Sequence, residues 1–220
     1  MKKEQKHLYA SLCLLAAFAL WTAALRFVDV QPIGPEGTSV GFATLNRFIH
    51  ALTGVHMSLY VITDWLGLIP LAAAAGFGIL GLCQWMQRKT LRKVDADILI
   101  LGAFYLTVMA AFLFFEHFVI NYRPILIEGR LEASYPSSTT MLALCVMPTA
   151  RMQLRSRIQN LTFRKCVSAA ISVFTFFMVI GRLVSGVHWF TDIIGGILLS
   201  AGFVLLYHSA VSLIHTKSDL

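Results

Sequence analysis

Six apolar stretches, near residues 8–28, 60–86, 97–119, 137–150, 166–182 and 189–214, alternate with short polar segments along the 220-residue chain. Several are long enough to cross ~30 Å of hydrocarbon as helices. No water reaches backbone N–H and C=O groups inside a bilayer, so a chain with this pattern is confined to internally bonded membrane helices. Composition agrees, with 57% hydrophobic and 13% charged side chains and a mean hydropathy of +0.72, far from the usage of soluble domains. The expectation is an all-α integral membrane protein, a six-transmembrane-helix bundle forming one domain over residues 1–220.

The basic residues set the orientation. Lys2, Lys3, Lys6, then Arg88, Lys89, Arg92, Lys93, then Arg151, Arg155, Arg157, Arg164, Lys165, and finally Lys217 make thirteen of the eighteen Lys and Arg. All thirteen fall on one side of a six-span arrangement, which the positive-inside rule makes the cytoplasm. The expected localisation is therefore the cell membrane, multi-pass, with both termini cytoplasmic. The net charge of +7 is mainly this topology signal. Nucleic acid is not expected as a partner, because the cations sit in short loops rather than on a soluble face with aromatic readers.

The first stretch follows Met1-Lys2-Lys3-Glu4-Gln5-Lys6 and has a longer apolar core than a secretory signal, so it reads as an uncleaved helix, cleavage after its Ala-rich end being the alternative. Between the first two spans, Leu45, Phe48, Ile49 and Leu52 recur at helical spacing, the pattern of an amphipathic helix lying in the outer interface. Such a helix either borders the path of an incoming lipid or is a packed loop element. Gly67, Pro70, Gly76, Gly78 and Gly81 in the second span read as packing residues. Cys13, Cys83, Cys145 and Cys166 lie in or beside apolar runs, with neither disulfide nor metal spacing, and read as inert packing. The fourth run, 137–150, has only 14 residues, about 21 Å of helix, and is expected to start below the outer surface inside a cavity.

Three polar clusters fall at the extracytoplasmic ends of the last four spans: Asn121-Tyr122-Arg123-Pro124, Tyr135-Pro136-Ser137-Ser138-Thr139-Thr140, and Gly181 to Asp192. Arg123 and Arg182 offer planar forks for phosphate oxygens. Pro136-Ser137 reads as a helix start, whose free N–H groups and positive dipole end also favour an anion. His188 and Asp192 are four apart, so one turn lets the carboxylate hold one ring nitrogen and leaves the other free to attack. Asp64, near the outer end of the second span, either faces this site or is a satisfied interfacial carboxylate.

These residues resemble the type 2 phosphatidic acid phosphatase family, membrane phosphatases of lipid phosphates and diphosphates. The family pattern is Lys, six residues, Arg-Pro; then Pro-Ser-Gly-His; then Ser-Arg, five residues, His, three residues, Asp. The chain matches it at Arg123-Pro124, at Pro136-Ser137, and at Arg182, His188 and Asp192, within a resemblance spanning about residues 55–214. It implies a six-helix bundle of that kind, with the site facing outside. It further implies His188 as a nucleophile that becomes a phosphohistidine, Asp192 as its partner, and Arg123, Ser137, Ser138 and Arg182 around the phosphate. Implied partners are a lipid phosphate or diphosphate and membrane lipids; no cofactor or metal is implied.

Three positions depart from the pattern. Glu116 stands at the lysine position, Thr139 at the second-motif histidine that protonates the leaving group, and Gly181 at the serine before Arg182. A threonine hydroxyl is too weak an acid for that task, and losing a positioned acid costs about 10²–10⁴ in rate. An ionised Glu116 near phosphate is repelled by about 4 kcal/mol at 4 Å and an effective dielectric of 20, so it must pair, Arg123 being two turns away, or carry a proton and substitute as the acid. His117 and Arg130 are further stand-ins or headgroup anchors. Three functional readings follow: a phosphatase favouring polyprenyl or diacylglycerol diphosphate, an impaired relative that binds lipid phosphate as receptor or regulator, and a lipid transporter.

Overall fold

The computed structural model describes residues 3–218, in which eight α-helices carry the fold and extended structure is limited to isolated bridges. In chain order they are α1 (Lys3–Ala24), α2 (Ala43–Thr53), α3 (Met57–Leu66), α4 (Leu68–Arg88), α5 (Ala96–His117), α6 (Ser138–Arg157), α7 (Leu161–Val184) and α8 (Phe190–Ser218). Five segments are long and apolar enough to cross a membrane: Gln5–Ala24, Met57–Arg88, Ala96–His117, Leu161–Val184 and Phe190–Ile214. The protein is thus an all-α, multi-pass membrane protein. Many large apolar side chains of these segments point outward, with Leu106 73%, Leu20 72% and Phe176 69% exposed, as expected where lipid is the solvent.

The second of these paths is α3 followed by α4, broken at Gly67. Pro70 lies in the first turn of α4, where its missing N–H removes the bond that would have reached back to Leu66. Of the glycines expected to pack, Gly81 is closed on by Ile98, whereas Gly76 and Gly78 face open space.

The sixth helix, α6, corrects the expectation of a 14-residue run. It continues past Ala150 through Arg151, Arg155 and Arg157 to a length of 20 residues, about 30 Å. The reason is position. α6 packs against α4, α5, α7 and α8, and ten of its residues are buried, among them Thr139, Thr140, Thr149 and Gln153. A helix covered by other helices does not need the hydropathy that lipid demands.

α1 and α8 form the most extensive helix pair. Ser11 Oγ donates to the Gly202 carbonyl at 2.8 Å, and the His7 and His208 rings lie 4.4 Å apart near the chain ends. At the other end, Trp21 Nε1 donates to the Thr191 carbonyl at 3.2 Å. The start of α1, the end of α8 and the Arg88–Lys93 and Arg151–Lys165 segments thus lie at the end of the bundle remote from His188. Phe18, Leu101, Phe104, Met141, Cys145 and Tyr207 form part of the central core. All four cysteines are free; only Cys145 is buried.

α2 covers the other end. Leu45, Phe48 and Leu52 are exposed, while Asn46 is fully buried. Asn46 Nδ2 donates to the Gly41 carbonyl at 2.9 Å and to Thr191 Oγ1 at 3.0 Å, and its Oδ1 accepts the Thr191 N–H at 3.2 Å. The amphipathic helix therefore turns its apolar face outward and fastens the start of α8 with its polar one.

Candidate active site

The loop between α5 and α6 folds back on itself. The Ser134 N–H donates to the Asn121 carbonyl and the Arg123 N–H to the Glu132 carbonyl, both at 3.0 Å. Glu128 and Gly129 turn the chain with φ of 50° and 75°, the pair of left-handed residues that a tight hairpin requires. Arg123 is carried inward, 8% exposed, with Nε 3.0 Å from Glu132 Oε2.

The turn between α7 and α8 is held from three sides. Gly186 has φ 68°, and a Cβ there would stand 1.9 Å from the Gly54 carbonyl oxygen, so the position admits only glycine. The His56 N–H donates to the Ser185 carbonyl at 2.9 Å, His50 Nε2 donates to the Gly186 carbonyl at 3.1 Å, and Trp189 Nε1 donates to the Tyr122 carbonyl at 2.8 Å.

His188 is buried in this turn. Its Nδ1 lies 3.1 Å from the Ser134 carbonyl and 3.8 Å from Asp192 Oδ2. A carbonyl can only accept, so Nδ1 carries the hydrogen and Nε2 presents its lone pair. The Asp192 carboxylate meanwhile accepts from Asn121 Nδ2 at 3.1 Å and from the Trp189 N–H at 2.9 Å. The pairing expected across one turn is therefore present as a 3.8 Å approach, but the hydrogen bond that fixes the imidazole goes to the main chain of Ser134. Burial, then Arg123 and then Arg182, holds the His188 pKa well below the ordinary histidine value, so the ring is neutral at neutral pH.

Arg123 Nη1 stands 3.5 Å from His188 Nε2. Arg182, 1% exposed, donates through Nη1 to the Tyr60 carbonyl and Thr63 Oγ1, both at 3.3 Å, and through Nη2 to Asp64 Oδ1 at 3.4 Å. Both guanidinium groups lie over one ring, Tyr60, at 5.7 Å for Arg123 and 4.8 Å for Arg182. Two cations against one aromatic ring beside a neutral imidazole make an arrangement suited to an anion. The Glu132 and Asp64 side chains are 40% and 60% exposed while Arg123 and Arg182 are 9% and 2% exposed, so each buried cation is balanced by a carboxylate on its solvent side, the side from which an anion would reach it.

The start of α6 completes the cradle. Ser137 is its cap residue, fully buried, with its N–H donating to the Asp192 carbonyl at 3.1 Å. The first-turn N–H groups of Ser138, Thr139 and Thr140 have no acceptor within the helix and sit at its positive end. Ser137 Oγ and Arg182 Nε are buried without a partner in the protein. An unpaired buried polar group costs about 1–3 kcal/mol, a cost that a bound oxyanion relieves.

The departures from the family pattern have distinct surroundings. Gly181 is explained by α3, since a Cβ there would lie 2.8 Å from Thr63 Cγ2; Thr63 occupies the space a serine would need. Glu116 is exposed and forms no ion pair with any described residue, and Arg123 has taken Glu132 instead. Glu116 shares a small recess with Ser134, Tyr135 and Ser138. Thr139, with Ser138 and Asp64, borders a cavity of about 420 Å³ whose walls include Leu68, Leu71, Val108, Phe112 and Leu142. His117 is exposed with its ring against Phe118, and Arg130 is exposed at the hairpin tip; neither joins the cluster. Asp64 takes the site-facing reading. Sequence reasoning missed Tyr60, Thr63, Glu132 and Ser134. Of these, only Glu132 had a signal, the Glu-Gly turn that folds it back onto Arg123.

Comparison with known proteins bears on this arrangement. A sequence model of the PAP2 superfamily matches residues 98–215, more than half of the chain. The crystal structure of the first transmembrane PAP2 type phosphatidylglycerolphosphate phosphatase from Bacillus subtilis is similar at a TM-score of 0.58 and 20% sequence identity, over 94% of this chain and 98% of that one. At that identity the likeness speaks for the fold. No curated protein matches the sequence. The chain belongs to the PAP2 superfamily.

Proposed function

We propose that the whole chain is one membrane-embedded lipid phosphatase that acts through a phosphohistidine on His188. The observation that carries this reading is the pair of contacts on one imidazole, Nδ1 donating to the Ser134 carbonyl at 3.1 Å and Nε2 facing Arg123 at 3.5 Å. A neutral ring so fixed can attack phosphorus held by Arg123, Arg182, Ser137 and the first N–H groups of α6, including that of Ser138. A P–N bond forms as the bond from the terminal phosphorus to its leaving oxygen breaks, and the electron pair leaves on that oxygen, which belongs to a lipid phosphate in a diphosphate and to the lipid alcohol in a monophosphate. The imidazolium formed is stabilised by the Ser134 carbonyl and Asp192. Water then attacks phosphorus, releasing inorganic phosphate and neutral His188.

Thr139 shapes the substrate. A lipid diphosphate, polyprenyl or diacylglycerol, expels a phosphate monoester that needs no proton, whereas a lipid monophosphate expels an alkoxide that does. Glu116 lines a recess with Ser138 and is the carboxyl we assign to supply that proton, so Glu116→Gln should lower monophosphate turnover more than diphosphate turnover. The cavity bordered by Thr139 and Asp64 takes the first part of the lipid chain. The start of α1, the end of α8 and the basic segments share the end remote from His188, which favours cytoplasmic termini and a site open to the outside of the cell membrane.

The test is phosphate release by the purified protein from matched lipid mono- and diphosphates. Diphosphates are expected to turn over faster, and His188→Ala to lower the rate by at least about 10⁴-fold. Faster release from the monophosphate would overturn the leaving-group argument. Thr139 in place of an acid also favours a second reading, a relative that binds lipid phosphate without turnover. That reading fails if His188→Ala abolishes measurable release.

A further inference from the structure

Arg151, Arg155, Arg164 and Lys165 converge on a cavity of about 750 Å³ between α6, α7 and α8, at the end of the bundle away from His188. Arg164 and Arg182 are eighteen residues apart on α7, about 27 Å along the helix, so this is not the cradle described above. No acidic side chain lines the cavity among the described residues. The first turn of α7 also opens into it, with Leu161 on the wall and Asn160 as cap, adding the positive end of a helix to four cations.

Topology alone does not explain this concentration. The other basic loop on the same side is closed by its own carboxylate, with Arg88 Nη1 2.8 Å from Asp95 Oδ1. From Arg151 to Lys165 there is no Asp or Glu. The cations are instead spread by neutral contacts, Arg151 donating to Ser172 Oγ at 2.9 Å and Arg164 to the Arg155 carbonyl at 3.4 Å, which leaves their remaining donors free. Met152, Pro148 and Val204 supply an apolar floor. Free phosphate has no use for such a floor, whereas a lipid headgroup arrives with a glycerol and chains attached.

We propose that this cavity is a second lipid site, which holds the phosphate of an anionic phospholipid from the membrane leaflet opposite the His188 end. Basic pockets between membrane helices bind such headgroups with about five-fold in affinity per cation, and the attraction weakens as salt screens it.

The experiment uses the full chain in phosphatidylcholine nanodiscs with phosphatidylglycerol titrated in, bound lipid being counted by native mass spectrometry. The phosphodiester of phosphatidylglycerol offers no terminal phosphate for release at His188. The triple variant Arg151→Gln, Arg155→Gln, Lys165→Gln should bind about 100-fold more weakly, while Lys89→Gln, Arg92→Gln, Lys93→Gln should retain wild-type binding. Unchanged retention in the first variant overturns the proposal, and so does an equal loss in both, which would mean general surface charge. Displacement by millimolar inorganic phosphate overturns the lipid assignment in favour of a free anion. If the triple variant does not fold, Lys165→Gln alone should show the five-fold step.

Discussion

The turn from Gly181 to Asp192 and the start of α6 from Pro136 to Thr140 meet at His188, yet they hold their polar groups in opposite ways. In the turn, Asp192, Trp189 and His188 each have a partner in the protein, and Gly54, His50 and His56 hold the backbone against movement. At the helix start, Ser137 Oγ is left without a partner, and the first three N–H groups of α6 have no acceptor within the helix. On the proposed function, the first positions the nucleophile and the second receives the anion. On that reading, the contrast separates two duties of a phosphatase, charge stabilisation, for which both regions supply groups, and proton donation, for which Thr139 supplies no acid.

The comparison sharpens most at Thr139. It borders the cavity of about 420 Å³, so an imidazole has room there. Thr139→His is expected to raise lipid monophosphate turnover by about 10²–10⁴-fold and to change diphosphate turnover far less, read as the ratio of kcat/KM for the two substrates. An equal rise for both would mean that the added histidine acts on something other than the leaving group.

The rigid region breaks most readily at Gly186. Alanine there meets the Gly54 carbonyl and a φ of 68°, and the left-handed backbone alone costs about 1–2 kcal/mol for a side chain. Gly186→Ala should therefore lower both Tm and kcat, while phosphate-analogue binding through the α6 start falls less. Asn46→Ala is the milder version. It removes three hydrogen bonds from a fully buried site and should cost about 1–3 kcal/mol of stability, visible in thermal unfolding, with KM nearly unchanged. An Asn46→Ala protein of normal stability would show that α2 is not what fastens α8.

How much of this was legible in the sequence follows the same division. The meeting of Arg182, His188 and Asp192 at the α7–α8 turn could be read because their side chains recur at fixed local spacing. The helix path could be read from hydropathy, except at α6, where Arg151 to Arg157 continue a helix that its neighbours cover. What stayed hidden acts across long separations or without a side chain. Ser134 fixes the His188 tautomer through its carbonyl, which no residue type reveals. Tyr60 and Thr63 reach Arg182 from α3, about 120 residues away, and Gly181 has meaning only once Thr63 is seen beside it.

The smallest effect tests the electrostatic link between the two regions. Arg123 belongs to the α5–α6 loop but lies 3.5 Å from His188 Nε2, and after burial it is the largest cause of the lowered His188 pKa. A depressed histidine is neutral and competent above its folded pKa and loses activity as pH falls through it. The acid limb of kcat/KM should therefore lie below the ordinary histidine value in the wild type. Arg123→Gln removes one repelling cation, so the limb should move to higher pH, and one unit would correspond to about 1.4 kcal/mol. Ionisation of the substrate phosphate contributes equally to both profiles and cancels in the difference. A limb that stays in place would mean that burial alone keeps His188 neutral, and that Arg123 serves the phosphate without preparing the nucleophile.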